Sequence, residues 1–121
     1  MKKVWKPVKG YENHYEVSNY GEVRSIEKTI KKANGQVQRR KSRILKPILK
    51  DGYHRVVLYK NNKLKRFYLH QLVASHFLEN PNNYREVNHK DGDKLNCHVN
   101  NLEWMSRSEN VKHMWDTGLR V

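Results

Sequence analysis

Cysteine occurs once in the 121 residues, at Cys97. A single thiol excludes an internal disulfide and both the four-cysteine and the two-cysteine, two-histidine zinc sites, so no structural zinc is expected and a reducing compartment fits. No apolar run is long enough to cross a bilayer, and the basic start from Met1 to Lys9 lacks the apolar centre of a secretory signal. A soluble, cytoplasmic chain without a membrane partner is expected. Acids are scarce as well: 12 Asp and Glu stand against 25 Lys and Arg, for a formal net charge of +13. Such an imbalance points to a polyanionic partner, with nucleic acid ahead of an anionic membrane.

The charge is unevenly spread. Residues 1–50 hold fourteen basic residues and four acids, residues 51–78 five and one, and residues 79–121 six and seven. The length suits one compact folding unit. Within it three parts are expected: a β-rich basic module over 1–50, a β-hairpin with a short helix over 51–78, and a near-neutral part over 79–121. In the first, β-prone pieces between residues 4 and 26 are broken by Pro7, Gly10, Asn19 and Gly21. From Lys28 to Lys50 there are nine basic residues and no acid, around a turn signal at Asn34-Gly35. A basic hairpin or a loop lying along phosphates is expected there, with Arg39, Arg40, Lys41 and Arg43 as DNA contacts.

Residues 53–59 alternate, putting Tyr53, Arg55, Val57 and Tyr59 on one strand face and His54, Val56 and Leu58 on the other. Asn61-Asn62 can turn the chain into a second strand through Lys65 to Tyr68. Arg55, Lys63 and Lys65 of this hairpin are further candidates for DNA contact. Leu69, Leu72, Val73 and Phe77 fall at helical spacing, which predicts a short amphipathic helix over 69–78. His70 and His76 within it are read as structural or surface residues.

The stretch from Glu86 to Asn110 reads as strand, loop, strand, helix. Asp91-Gly92 supplies a turn, Leu102 to Met105 returns as the partner strand, and Ser106 with Glu109 forms a capping box that starts a helix running to about Thr117. Asp91 and Asp93 are read as turn residues. Such a layout can bring Asn88 and His89 beside Asn110. A neutral imidazole can take a proton from water near neutral pH. Two carboxamide oxygens, completed by water and phosphate, suit Mg²⁺ or Mn²⁺.

The pattern Val87-Asn-His-Lys-Asp-Gly-Asp-Lys94, then Asn101-Leu-Glu-Trp104 and Ser108-Glu-Asn110, resembles the ββα-metal core of phage and intron-encoded HNH homing endonucleases. The upstream elements Trp5-Lys-Pro-Val-Lys-Gly-Tyr-Glu12 and Tyr15-Glu-Val-Ser-Asn-Tyr-Gly-Glu-Val23 are similar to the small module that often precedes such cores. So is Leu69-His-Gln-Leu-Val-Ala-Ser-His-Phe77. The resemblance implies an α+β fold, a small β-rich N-terminal part followed by a ββα-metal core. It implies His89 as general base, Asn101 as the residue orienting it, and Asn88 and Asn110 as metal-binding positions. The expected protein is a monomeric, Mg²⁺- or Mn²⁺-dependent endonuclease nicking one strand of double-stranded DNA. One departure is that the position of Asn88 is often Asp in the nicking relatives. The zinc-binding cysteine pairs of some HNH proteins are absent, and no helix-turn-helix of the longer homing relatives follows within the sequence. Two alternatives stay open: a non-catalytic nucleic-acid-binding module, and an HNH nuclease of phage packaging or defence.

Overall fold

The computed structural model describes residues 1–107. The anticipated helix beyond Ser106, and with it Asn110, lies outside the described residues. The described chain forms four small antiparallel sheets and one α-helix, a mixed fold. Strands β1 (Trp5–Pro7), β2 (Tyr15–Ser18) and β3 (Val23–Ser25) make the first sheet. Strands β4 (Lys28–Lys31) and β5 (Val37–Arg40) make the basic hairpin, turned at Gly35, whose φ is 84°. A third sheet has the order β6 (Ile48–Lys50), β7 (Tyr53–Lys60), β8 (Lys63–Tyr68). It begins at Ile48, so it reaches back into the stretch that the sequence assigns to the N-terminal module.

The β7–β8 turn shows why two asparagines stand there. Asn61 and Asn62 both have positive φ, 53° and 61°, as a two-residue turn matched to strand twist requires. The resulting register pairs Lys60 with Lys63, Leu58 with Lys65 and Arg55 with Tyr68. Helix α1 (Leu69–Phe77) follows β8 directly, and its boundary residue Tyr68 makes no side-chain capping bond. A nine-residue helix without such a cap depends on burial for its stability. Leu69, Leu72, Val73 and Ala74 supply that burial.

The helix is the centre of the molecule. It touches β2, β7, β8, and the last hairpin, formed by β9 (Glu86–His89) and β10 (Leu102–Met105), whose second strand is entered through a 3-10 turn at Val99–Asn101. One hydrophobic core runs through all of these elements, from Val8, Val17 and Val23 to Val56 and Leu58, and on to Val87, Val99 and Leu102. The N-terminal sheet is therefore packed against the hairpin that carries the candidate chemistry.

The seam between them is tight. Gly21 has a φ of 84°, and a Cβ at this position would lie 2.8 Å from the carbonyl oxygen of Cys97, so only glycine permits the approach. Beside it the Val99 N–H donates to the Asn19 carbonyl at 2.9 Å, and the Tyr20 and His98 rings meet at 4.7 Å. Burial, and next Asp93, push the Cys97 thiol up to about 12, which makes it an inert packing group. On the far side of α1, the His76 Nδ1–H donates to the Leu72 carbonyl and its Nε2 accepts from the Lys9 N–H at 2.9 Å. That pair of bonds defines the tautomer and makes His76 a structural clasp.

Candidate active site

Hairpin β9–β10 pairs His89 with Leu102, Asn88 with Glu103 and Val87 with Trp104. Directly opposed residues share a face, and successive residues alternate. Val87, His89, Leu102 and Trp104 therefore lie on one face and Asn88 and Glu103 on the other. Val87 and Leu102 are buried in the common core, so the face that carries His89 looks toward α1.

The connection between the two strands is stiffened by its own polar groups. The Gly92 N–H donates to the His89 carbonyl at 2.8 Å, closing the turn after β9. Asp91 accepts from the Asp93 N–H and from the Asn96 amide, and Asp93 accepts from the Leu95 N–H. The Asn96 bond and the Asp93 N–H hold the Asp91 carboxyl below its ordinary range. Both aspartates thus serve as turn residues. Asn101 locks this loop onto β10: its Oδ1 accepts from the Asp91 N–H at 2.9 Å and its Nδ2 donates to the Asn96 carbonyl at 2.9 Å. Its backbone carbonyl takes the Lys90 N–H at 2.7 Å. Both ends of the Asn101 amide are spent on the loop that leaves His89, and neither bonds the imidazole.

His89 sits at the end of β9 and is only 6% exposed. Its Nε2 is buried and has no hydrogen-bond partner among the described residues. Burial lowers its pKa below the ordinary imidazole value; Asp91 and Asp93 oppose that shift and Lys94 adds to it. The ring is therefore neutral near physiological pH and holds a free lone pair or N–H at Nε2, the state a proton acceptor needs. Two rings wall it in. His70 from α1 lies 5.0 Å away edge-on, and Tyr53 from β7 lies 5.9 Å away, with the Lys94 ammonium 5.0 Å from the Tyr53 ring.

His70 has the sequence signature of a structural or surface residue. It is buried, its Nδ1 has no partner among the described residues, and burial, followed by His89, lowers its pKa to about 4. Nothing in the helical spacing of α1 marks it as a neighbour of His89. The contact exists because α1 and β9 pack together over the shared core.

Asn88 is buried, and its Nδ2 donates to Glu103 Oε1 at 2.9 Å. A carboxylate accepts and does not donate, so the amide must turn its NH₂ to Glu103 and its Oδ1 away from it. That leaves an oxygen donor of the kind hard divalent cations take. Among the described residues no cluster of three or more His, Cys, Asp or Glu side chains could cage an ion. The donor set fits an ion such as Mg²⁺ that keeps several waters and binds substrate phosphate.

The residues nominated for DNA contact fall in three places. Arg39, Arg40, Lys41 and Arg43 line a cleft of about 850 Å³ beside the basic hairpin, together with His14 and Lys28. Arg39 also pairs with Glu27. Arg55 is on the Tyr53 face of β7, with its guanidinium 5.9 Å from the Tyr68 ring. Lys63 and Lys65 oppose Lys60 and Leu58, which places them on the reverse face of that sheet. The exposed Arg66, opposite Val57, shares the face of Arg55; charge alone does not single it out, but counting the hairpin register does.

Comparison with known families accords with this architecture. Residues 4–59 match the NUMOD4 motif and residues 67–112 match the HNH endonuclease family. Residues 67–112 thus carry an HNH endonuclease domain, with a NUMOD4 motif ahead of it. Among individual proteins it is 44% identical over 116 residues to DNA endonuclease I-HmuI of Bacillus phage SP01, covering 94% of this chain and 59% of that protein. It is 37% identical over 116 residues to uncharacterized HNH endonuclease L245 of Acanthamoeba polyphaga mimivirus, covering 96% of this chain and 31% of that one. A solved structure described as "DNA binding and cleavage by the HNH homing endonuclease I-HmuI" superposes with a TM-score of 0.75 at 44% identity, over 98% of this chain and 62% of that one. The chain spans less than two thirds of the length of each of these relatives.

Proposed function

We propose that this chain is a divalent-metal-dependent DNA endonuclease that hydrolyses one strand of a duplex per binding event, with His89 as general base. The observation that carries the reading is the His89 ring: buried at a strand end, titrating below the ordinary range, with an unpartnered Nε2. The names of the relatives, a DNA endonuclease and an HNH homing endonuclease, support it.

In this reading His89 takes a proton from water as the water oxygen bonds to phosphorus and the bond from phosphorus to the departing 3′ oxygen breaks. Tyr53 and His70 keep the ring in place and exclude solvent from its buried side. Asn101 holds the loop that orients His89. Asn88, with Asn110, would hold the cation. Such an ion, Mg²⁺ or Mn²⁺, would supply positive charge to offset the negative charge that develops on the phosphate and the leaving group. Residues 1–50 and 51–78 hold the duplex through Arg40, Lys41, Arg43 and Arg55, residues 79–121 cut it, and the chain acts as a monomer.

The test is nicking of supercoiled plasmid with Mg²⁺, Mn²⁺ or EDTA. His89→Ala should lower the rate by roughly 10²–10⁴-fold while gel-shift affinity stays nearly unchanged. Cleavage that survives EDTA removes the metal from the mechanism, and equal activity in His89→Ala removes the base. Tight DNA binding with no cleavage in either metal leaves a nucleic-acid-binding module instead.

A further inference from the structure

Both side chains nominated to hold the cation, Asn88 and Asn110, are uncharged. Neutral carboxamides do little to offset the dehydration of a divalent ion, which in protein sites is normally bound with at least one carboxylate. The two acids of the β9–β10 connection are already used: Asp91 binds the Asp93 N–H and the Asn96 amide, and Asp93 binds the Leu95 N–H. Glu103 is placed differently. It lies directly across the ladder from Asn88, on the same face of the hairpin and away from α1, and it touches the Asn88 amide nitrogen through Oε1 at 2.9 Å.

We propose that Glu103 supplies the anionic charge of the cation site and sets the Asn88 amide so that its oxygen faces the ion. The inference rests on the metal-dependent reading above. Two effects follow from the one bond. Accepting from Nδ2 prevents the amide from flipping, because an oxygen turned toward the carboxylate would be repelled. It also polarises the amide and raises the electron density on Oδ1, the role that carboxylate partners of ligating groups commonly play. A carboxylate bonded to the Asn88 amide would contribute favourable Coulomb energy to a cation held by that amide's oxygen, whether or not it touched it.

The residue can be tested apart from catalysis. Protein alone is titrated with Mn²⁺, and binding is read from the free-ion signal in electron paramagnetic resonance and from broadening of the Asn88 side-chain amide in NMR spectra. Glu103→Gln keeps an acceptor for the Asn88 amide and removes the charge. It should raise the Mn²⁺ half-saturation concentration by roughly ten-fold or more and leave metal-free melting and gel-shift affinity unchanged. Asn88→Asp combined with Glu103→Gln moves the charge across the ladder and should restore most of the Mn²⁺ affinity. Equal half-saturation in wild type and Glu103→Gln, with or without a lower melting temperature, makes Glu103 a structural partner of Asn88 and overturns the proposal alone. A wild-type protein that shows no Mn²⁺ binding by either readout, alone or with duplex DNA added, removes the metal-dependent reading itself, and this proposal with it.

Discussion

Two hairpins in this molecule have strands of the same length, four residues each, yet share almost nothing else. In β4–β5 every residue of the second strand is exposed, and the side chains include Lys28, Lys31, Arg39 and Arg40. In β9–β10 the residues Val87, Asn88, His89 and Leu102 are all buried. Secondary structure does not distinguish them; what each packs against does. The helix α1 covers one face of β9–β10, and that cover takes an imidazole out of water and lowers its pKa. Among the described residues the basic hairpin has no such cover, and the cations of its second strand stay exposed, as a phosphate-binding surface requires. One hairpin offers charge, and the other a desolvated imidazole.

Three measurements sharpen or break this contrast. Leu102→Ala, in the buried hairpin, should cost about 2–5 kcal/mol of stability in denaturant unfolding, whereas Val37→Ala in the basic hairpin, where Val37 is 64% exposed, should change it by less than about 0.5 kcal/mol. Similar losses from the two variants would mean that the hairpins are packed alike.

The next effect is in pH. In the fold His70 titrates at about 4, displaced first by burial and then by His89, against an ordinary value of 6.5. Between those values the unfolded chain binds a proton that the folded chain refuses. Stability contributed by neutral His70 is therefore complete above pH 6.5, falls as pH drops from there, and levels off near 4. The shift corresponds to roughly 3 kcal/mol. His89 acts in the same direction. Unfolding midpoints measured across this window should show the decline, and His70→Phe should flatten it. An unchanged profile in the variant would show that His70 is not desolvated.

The smallest effect belongs to the basic hairpin. Arg40→Ala should reduce the slope of log affinity against log salt by about 0.9, the increment that one neutralised phosphate contributes, and leave the nicking rate at saturating protein unchanged. A salt slope equal to that of the wild type would remove Arg40 from the DNA interface.

Local order was legible in the sequence wherever a backbone period carried it. The apolar spacing of Leu69, Leu72, Val73 and Phe77 marks α1, which ends one residue before the expected boundary, because Leu78 turns extended while its N–H still bonds the Ala74 carbonyl. The alternation of residues 53–59 marks β7, and Asn34-Gly35 marks the turn of the basic hairpin. Strand β6 was not legible, since the three residues Ile48–Lys50 are all exposed and show no alternating burial. In the candidate site, His89 and Asn88 stood out by residue type and order. The partners of both did not.

The amino-acid sequence by itself determined the basic bias, the order of the elements and the Val87-Asn-His89 segment, because these depend on residue type and on repeats of two or 3.6 residues along the backbone. Tertiary structure alone decided that His70 stands 5.0 Å from His89, that Gly21 abuts Cys97, and that the Asn101 amide is spent on its loop. The first two contacts join separate parts of the chain, so they are set by how the helix and sheets pack around one core; the third follows from the conformation of the β9–β10 connection, and no local period records either.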